Sequence, residues 1–153
     1  MWSWETVRED ALSVLNAPMK KLENDLKLSA KTFPVHARVA TTDATVTTIR
    51  TLPVPANHTL LITGYVVARR TGGAAGAAND GAAYRIELVA KNTAGTAAEI
   101  AAETLTVIGE SQAGWTVASS ASSGNILIQV TGAVDNNVSW RWSERTLAVK
   151  DEE

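Results

Sequence analysis

The stretch from Thr59 to Lys91 constrains the fold more than any other, because two alternating apolar runs flank a segment with nothing to bury. In the first run Ile62, Gly64, Val66 and Ala68 share one face of an extended strand, and Leu61, Thr63, Tyr65, Val67 and Arg69 share the other. In the second run Ile86, Leu88 and Ala90 fall on one side and Arg85, Glu87, Val89 and Lys91 on the opposite side. Such a period of two is the pattern of antiparallel strands that pack one face against a second sheet. Between the runs, Thr71 to Ala83 is almost wholly Gly and Ala with Asn79-Asp80-Gly81. The prediction is a long β-hairpin tipped by an exposed, mobile loop, short of side chains to hold it.

The strand period persists after Phe33. Val35, Ala37 and Val39 alternate with His36 and Arg38; Ala44 to Leu52 follows, and Pro53-Val54-Pro55-Ala56-Asn57 ends that run. Beyond the hairpin, Asn92-Thr93-Ala94-Gly95 reads as a tight turn and Thr96 to Val107 as a strand, despite the helix-favouring Ala97-Ala98-Glu99 and Ala101-Ala102-Glu103. Trp115 to Ala118, Asn125 to Thr131 and Val138 to Val149 complete the series. Short strands spaced by turns in this way predict a mainly β fold: an antiparallel β-sandwich, jelly-roll-like, over residues 33–153.

Residues 1–32 have a different period. Ser3 suits a helix N-cap, Glu5, Glu9 and Asp10 suit the positive end of a helix, and Leu12, Leu15, Met19, Leu22 and Leu26 step by three and four. This predicts an N-terminal α-helical arm, either a short coiled-coil seam or a helix lying on its own domain. Pro18 removes a backbone donor and predicts a kink near Asn16-Ala17. Trp2 and Trp4 at the extreme N-terminus serve either as an anchor or as rings folded back on the body.

Composition narrows the function classes. The formal net charge of -2 leaves no excess of positive charge for a phosphate backbone, and Arg69-Arg70 and Lys20-Lys21 are isolated pairs, so nucleic acid is not an expected partner. No cysteine and two histidines argue against thiolate zinc and most transition-metal sites, and no cofactor is expected. No apolar run is long enough to span a bilayer, and MWSWETVRED has acids where a Sec signal needs basic and then apolar residues, so synthesis in a cytoplasm is expected. His36 and His58 have no Ser or Asp motif beside them, and an enzyme is not expected. Asp80 with Asn79, and Asp135 with Asn136 and Asn137, read as turn residues before calcium ligands. Trp140 and Trp142 share one strand face with Val138, which favours a core role over an exposed sugar-stacking platform.

The strings TTDATVTTIRTLPVPANHTLLITGYVVARRTGG at 41–73, DGAAYRIELVAKNTAGTAAEI at 80–100, the Gly114-Trp115 pair and GNILIQVTGAVDNNVSWRWSERTLAV at 124–149 resemble the β-rich domain of tail-fibre and spike proteins of tailed bacteriophages. The resemblance implies a virion structural protein: a short fibre, spike, collar, tail-tip or head-decoration component. It also implies self-association, expected as a homotrimer, and contact with other virion proteins of the capsid, portal, collar or tail. Trp2, Trp4, Leu12, Leu15, Met19, Leu22 and Leu26 are then the expected particle-docking residues. The alternative is a receptor-binding protein that meets a host surface glycan or protein through the loop containing Gly72, Gly73, Asn79, Asp80 and Gly81. Typical fibres carry a long repetitive shaft, which is not seen in the 40 residues before the resemblance begins.

Overall fold

The computed structural model describes residues 37–151; the arm of residues 1–32, with its leucine spacing and terminal tryptophans, and His36 lie outside them. Nine strands follow in order: β1 (Ala37–Thr41), β2 (Thr47–Pro53), β3 (His58–Gly72), β4 (Gly81–Thr93), β5 (Thr96–Glu99), β6 (Thr104–Glu110), β7 (Thr116–Ser122), β8 (Asn125–Thr131) and β9 (Asn137–Lys150). All pair antiparallel, in a larger sheet ordered β1-β9-β3-β4-β5 with β6 also on β4, and a smaller sheet ordered β2-β8-β7. The mainly β, antiparallel class expected from the period of two is the class observed, and no helix occurs among the described residues.

Two expectations need correcting. The strand expected over Thr96 to Val107 is two strands, β5 and β6, laid end to end along β4. Thr96 to Glu99 pair with residues 90–93 and Thr104 onward with residues 82–87, so the chain between holds extra residues that no single register accommodates. The hairpin loop is also shorter than expected. It runs over residues 73–80, because pairing continues to Gly72 and resumes at Gly81, and Ala82 is buried in the core.

The even-numbered positions of the hairpin face the smaller sheet, as their alternation predicts. Ile62, Val66, Tyr84, Ile86 and Leu88 meet Ile126, Ile128, Val130 and Val117 in one core that closes around Trp115, Trp140 and Trp142. Trp115 and Trp140 meet edge to face, with ring centroids 5.8 Å apart. Small residues make room for these rings. Trp142 pairs across β3 with Val66 and across β1 with Ala37, and a Cβ on Gly64 would fall inside its indole. Glycine is a poor strand residue, so its place at the centre of β3 follows from this close approach.

Several polar groups inside the sandwich are hydrogen-bonded, some between the sheets and some within the larger one. Arg50 on β2 donates from Nε and Nη2 to the Glu144 carboxylate on β9, with Nη2 to Oε1 at 2.7 Å, and the Trp142 indole donates to the same carboxylate. The Trp140 indole donates to Thr41 Oγ1 at 2.9 Å, and Asn92 Nδ2 donates to the Val54 carbonyl at 2.6 Å. The Tyr84 hydroxyl donates to Glu110 at 2.9 Å and lies 3.3 Å from the Trp115 carbonyl oxygen. Burial, reinforced by the Glu110 carboxylate, raises the Tyr84 pKa well above the ordinary tyrosine value.

Candidate functional surfaces

The β3–β4 hairpin is roughly 45 Å long at about 3.3 Å per residue. Its ends differ in chemistry. At the loop end, both arginines of the Arg69-Arg70 pair turn back onto the loop they precede. Arg70 donates to the carbonyls of Gly73 (2.5 Å) and Ala75 (2.8 Å), and Arg69 to Asn79 Oδ1 (2.7 Å). Asp80 Oδ2 accepts from the Ala77 amide (2.7 Å) and from Gln112 Nε2 (2.8 Å), and the Ala75 amide donates to the Asp135 carbonyl (2.9 Å). Gly73, Gly76 and Asn79 have φ of 94°, 77° and 73°, and a Cβ on Gly73 would collide with the Asp135 backbone.

The loop expected to be exposed and mobile is exposed, and its carbonyls are held by guanidinium groups and its backbone packs against residues 135–137. The reason is chemical. A Gly/Ala segment supplies no side chains, but its backbone still needs partners, and neighbouring Arg, Asp and Gln provide them. Of the residues proposed for a distal binding loop, Gly72 ends β3, Gly81 opens β4, Gly73 and Asn79 shape the left-handed bends, and Asp80 is nearly buried as a brace. The five come together at one tip.

At the other end, Asn57, His58 and Thr59 with Lys91, Asn92, Thr93, Val149, Lys150 and Asp151 line an open hollow of about 370 Å³. His58 Nδ1 donates to the Ala56 carbonyl at 2.8 Å, which leaves Nε2 as the acceptor of the neutral ring. The Asp151 amide donates to the Asn57 carbonyl at 2.9 Å and ties the end of β9 to this corner. Among the described residues, no group of three or more His, Cys, Asp or Glu is placed to hold a metal ion.

The third surface is the outer face of the larger sheet. Leu61 pairs with Val89 on one side and Leu147 on the other, and the Ile100 amide donates to the Val89 carbonyl at 2.8 Å, so four aliphatic residues lie in one row across the sheet. All are open to solvent, Leu147 at 66%, Ile100 at 55%, Leu61 at 44% and Val89 at 36%, where core residues of the same strands are near zero. Val149, paired with Thr59 in the next row, and Tyr65 and Val67 further along β3 add exposed apolar area. Leu105, Val107 and Ile108 are likewise exposed on β6, whose second edge has no strand beside it among the described residues. This surface was not singled out from the sequence. Its signal was Leu61, Tyr65, Val67 and Val89 on the face assigned to solvent, which made the hairpin apolar on both sides. The tryptophans considered for sugar stacking, Trp140 and Trp142, are fully buried, as the core reading favoured.

No family model and no curated protein matches the chain. Among solved structures, the chain is similar to a part of the tailspike protein of Acinetobacter baumannii phage AM24, with a TM-score of 0.46 and 10% identity over 79% of this chain and 27% of that one. It is also similar to a part of the tailspike protein of Acinetobacter phage vB_ApiP_P1, with a TM-score of 0.39 and 16% identity over 76% of this chain and 22% of that one. The chain thus spans about a quarter of the length of either protein.

Proposed function

We propose that this protein is a structural component of a bacteriophage virion, non-enzymatic, whose β-domain acts by packing against other protein surfaces. The observation that carries the reading is the division of apolar surface. The interior closes on its own tryptophans, while aliphatic residues on the outer face and on edge strand β6 are exposed among the described residues. Contiguous exposed apolar patches rimmed by polar residues are the property of protein contact surfaces rather than of chemistry. The sequence phrases at 41–73, 80–100 and 124–149 give the kind of particle. In this reading residues 1–32 dock the protein on the particle and associate as a trimer, and the β-domain is displayed outward.

The test is direct: mass spectrometry of purified virions, followed by gold labelling of a tag at the C-terminus. The protein is expected among the virion proteins at a fixed copy number, and its absence from washed particles would remove the reading. Deleting residues 1–30 is expected to abolish incorporation; a truncated chain that still assembles would place docking on the sandwich.

A second reading is receptor binding through the loop at 73–80, favoured by the way Arg69, Arg70 and Asp80 hold that loop in one conformation at the tip of the hairpin. A preorganised loop loses little entropy on binding. Binding of the intact protein to a glycan array, lost when Asn79 and its neighbours are replaced, separates this role from a purely structural one.

A further inference from the structure

We propose that the open edge of β6 is a strand-pairing surface for a second copy of this chain, the two β6 strands running antiparallel about a two-fold axis at Thr106. The contact stands whether or not the protein is a virion component.

The direction of the main-chain groups fixes what this edge offers. In an antiparallel sheet, successive residues turn their N–H and C=O alternately to one neighbour and to the other. The Ser111 amide donates to the Gly81 carbonyl and the Ile100 amide to the Val89 carbonyl, so the odd-numbered residues of β4 serve the side on which β5 and β6 lie. Thr104 is opposite Glu87 and Thr106 opposite Arg85, and these two threonines therefore bond to β4. Leu105 and Val107, opposite Ile86 and Tyr84, turn their N–H and C=O outward, where β6 pairs with no other strand among the described residues.

The edges nearby are closed. On β5 the Ala97 amide donates to the Ser123 carbonyl at 2.7 Å, and on β7 the Ser119 amide donates to Glu103 Oε1 at 3.3 Å. Lysine or proline commonly guards an edge strand, and Thr104–Glu110 contains neither. Apolar area says nothing of its occupant, but a row of outward amides and carbonyls is completed by another extended backbone.

Register selects the second copy. Opposed residues of an antiparallel pair have side chains on one face, so two β6 strands meet about a two-fold only at registers centred on a residue. Centred on Thr106, Leu105 faces the partner's Val107 and Val107 the partner's Leu105, and the outward groups of both strands exchange about four hydrogen bonds. A register centred on Leu105 sets Val107 against Glu103, outside the strand; one centred on Val107 sets Leu105 against Gly109, whose main chain is turned to Ala83. The side chains agree. Leu105 and Val107 share the inward face with Ile86 and Tyr84 but remain 37% and 49% exposed, since the smaller sheet ends at β7. Pairing about Thr106 lays the leucines and valines of both copies side by side on that face. Residues 104–109 carry no charge, and Glu110 falls opposite Ala102, so no like charges meet. The register shift at Ile108 confines the ladder to a few residues of each strand, and a Kd on the order of 100 µM is expected.

The experiment uses the absence of cysteine from the chain. Thr106 and its copy form a non-hydrogen-bonded pair with Cα atoms about 4.5 Å apart, within the span of a disulfide. Thr104 is also exposed, but it and its copy are offset by about 13 Å along the strands. Full-length Thr106→Cys and Thr104→Cys are each incubated with oxidised glutathione at about 50 µM and read on non-reducing gels. Thr106→Cys is expected to form covalent dimers at least about tenfold faster. Equal rates, or no dimer from either, overturn the proposal.

Sedimentation velocity of the full-length chain from about 5 to 500 µM gives the second readout. The wild-type mass is expected to rise toward twice its dilute value. Leu105→Pro, which removes an outward N–H and leaves the bonds to β4, and Leu105→Lys, which keeps every main-chain bond and adds a guarding charge, are each expected to hold the dilute value. Circular dichroism melts confirm folding, and Leu105→Lys serves alone if the proline variant is unfolded. A constant wild-type mass, or one that rises equally in Leu105→Lys, overturns the proposal and leaves the edge to a strand of another protein.

Discussion

Leu61 and Ile62 are adjacent on β3 and almost identical in chemistry, yet Ile62 is fully buried and Leu61 is 44% exposed. The same contrast runs through the whole larger sheet. Its inner face carries Ile86, Leu88, Val66, Trp140 and Trp142; its outer face carries Val89, Val67, Tyr65, Leu147 and Val149. Both faces are apolar, but the smaller sheet covers only one of them. Burying an aliphatic side chain contributes about 1.5–3 kcal/mol. The inner residues therefore account for the fold, and the outer ones contribute comparably only when another surface arrives. Apolarity alone does not distinguish folding from association; the partner across the face does.

Perturbing the inner face should be severe. Gly64→Val inserts branched carbons where the Trp142 indole lies, and Trp142→Ala empties that space and removes a donor to Glu144; each is expected to lower stability by about 4 kcal/mol, read by denaturant unfolding. Little change in midpoint for Gly64→Val would show that the ring can move aside. Glu144→Ala leaves Arg50 and the Trp142 indole without their shared acceptor between the sheets, and a loss of about 3 kcal/mol is expected. Glu144→Gln, which keeps an acceptor, should lose less.

The loop tip is intermediate. Arg70→Ala frees two loop carbonyls, and an expected loss of about 1–2 kcal/mol in unfolding measurements should be accompanied by faster amide exchange at residues 73–80. Replacing residues 73–80 by Asn-Gly should cost a similar amount, since the contacts to Asp135 and Gln112 go with them. Tyr84 gives a pH signature. Its pKa is raised in the folded state, so the fold binds this proton more tightly than the unfolded chain does. The contribution is complete below the unfolded value of about 10 and is lost as pH rises beyond it. Stability of the wild type should fall above about pH 10 more steeply than that of Tyr84→Phe, while at neutral pH the variant is weaker by about 1 kcal/mol. The outer face closes the series: Leu61→Thr should change the unfolding free energy by less than about 0.5 kcal/mol under conditions where the protein is dissociated.

Much of this was legible in the sequence. The hairpin faces could be assigned residue by residue, since a strand period of two leaves no freedom once Ile62 and Ile86 are inside. Asn125 to Thr131 was delimited correctly, and Trp140 with Trp142 fell in the core because Val138 shares their register. The rest depended on contacts distant in sequence. Arg50 meets Glu144 across 94 residues, and Gln112 reaches Asp80 across 32. Neither pair has a local signature. The break between β5 and β6 was hidden because Ala and Glu have weak strand preference and the register against β4 decides where they pair. The roles of Arg69 and Arg70 were missed for a related reason: a backbone acceptor is present in every residue and so leaves no mark in composition.

The chain has no cysteine, so a single introduced thiol reports on one position without interference. Leu61→Cys and Ile86→Cys in the full-length protein, labelled with a soluble thiol reagent, compare the two faces of the sheet directly. Cys at position 86 is expected to stay unreactive, and Cys at position 61 to react rapidly. A thiol at 61 as unreactive as the one at 86, or a thiol at 86 as reactive as the one at 61, would contradict a sheet whose two apolar faces differ in what covers them.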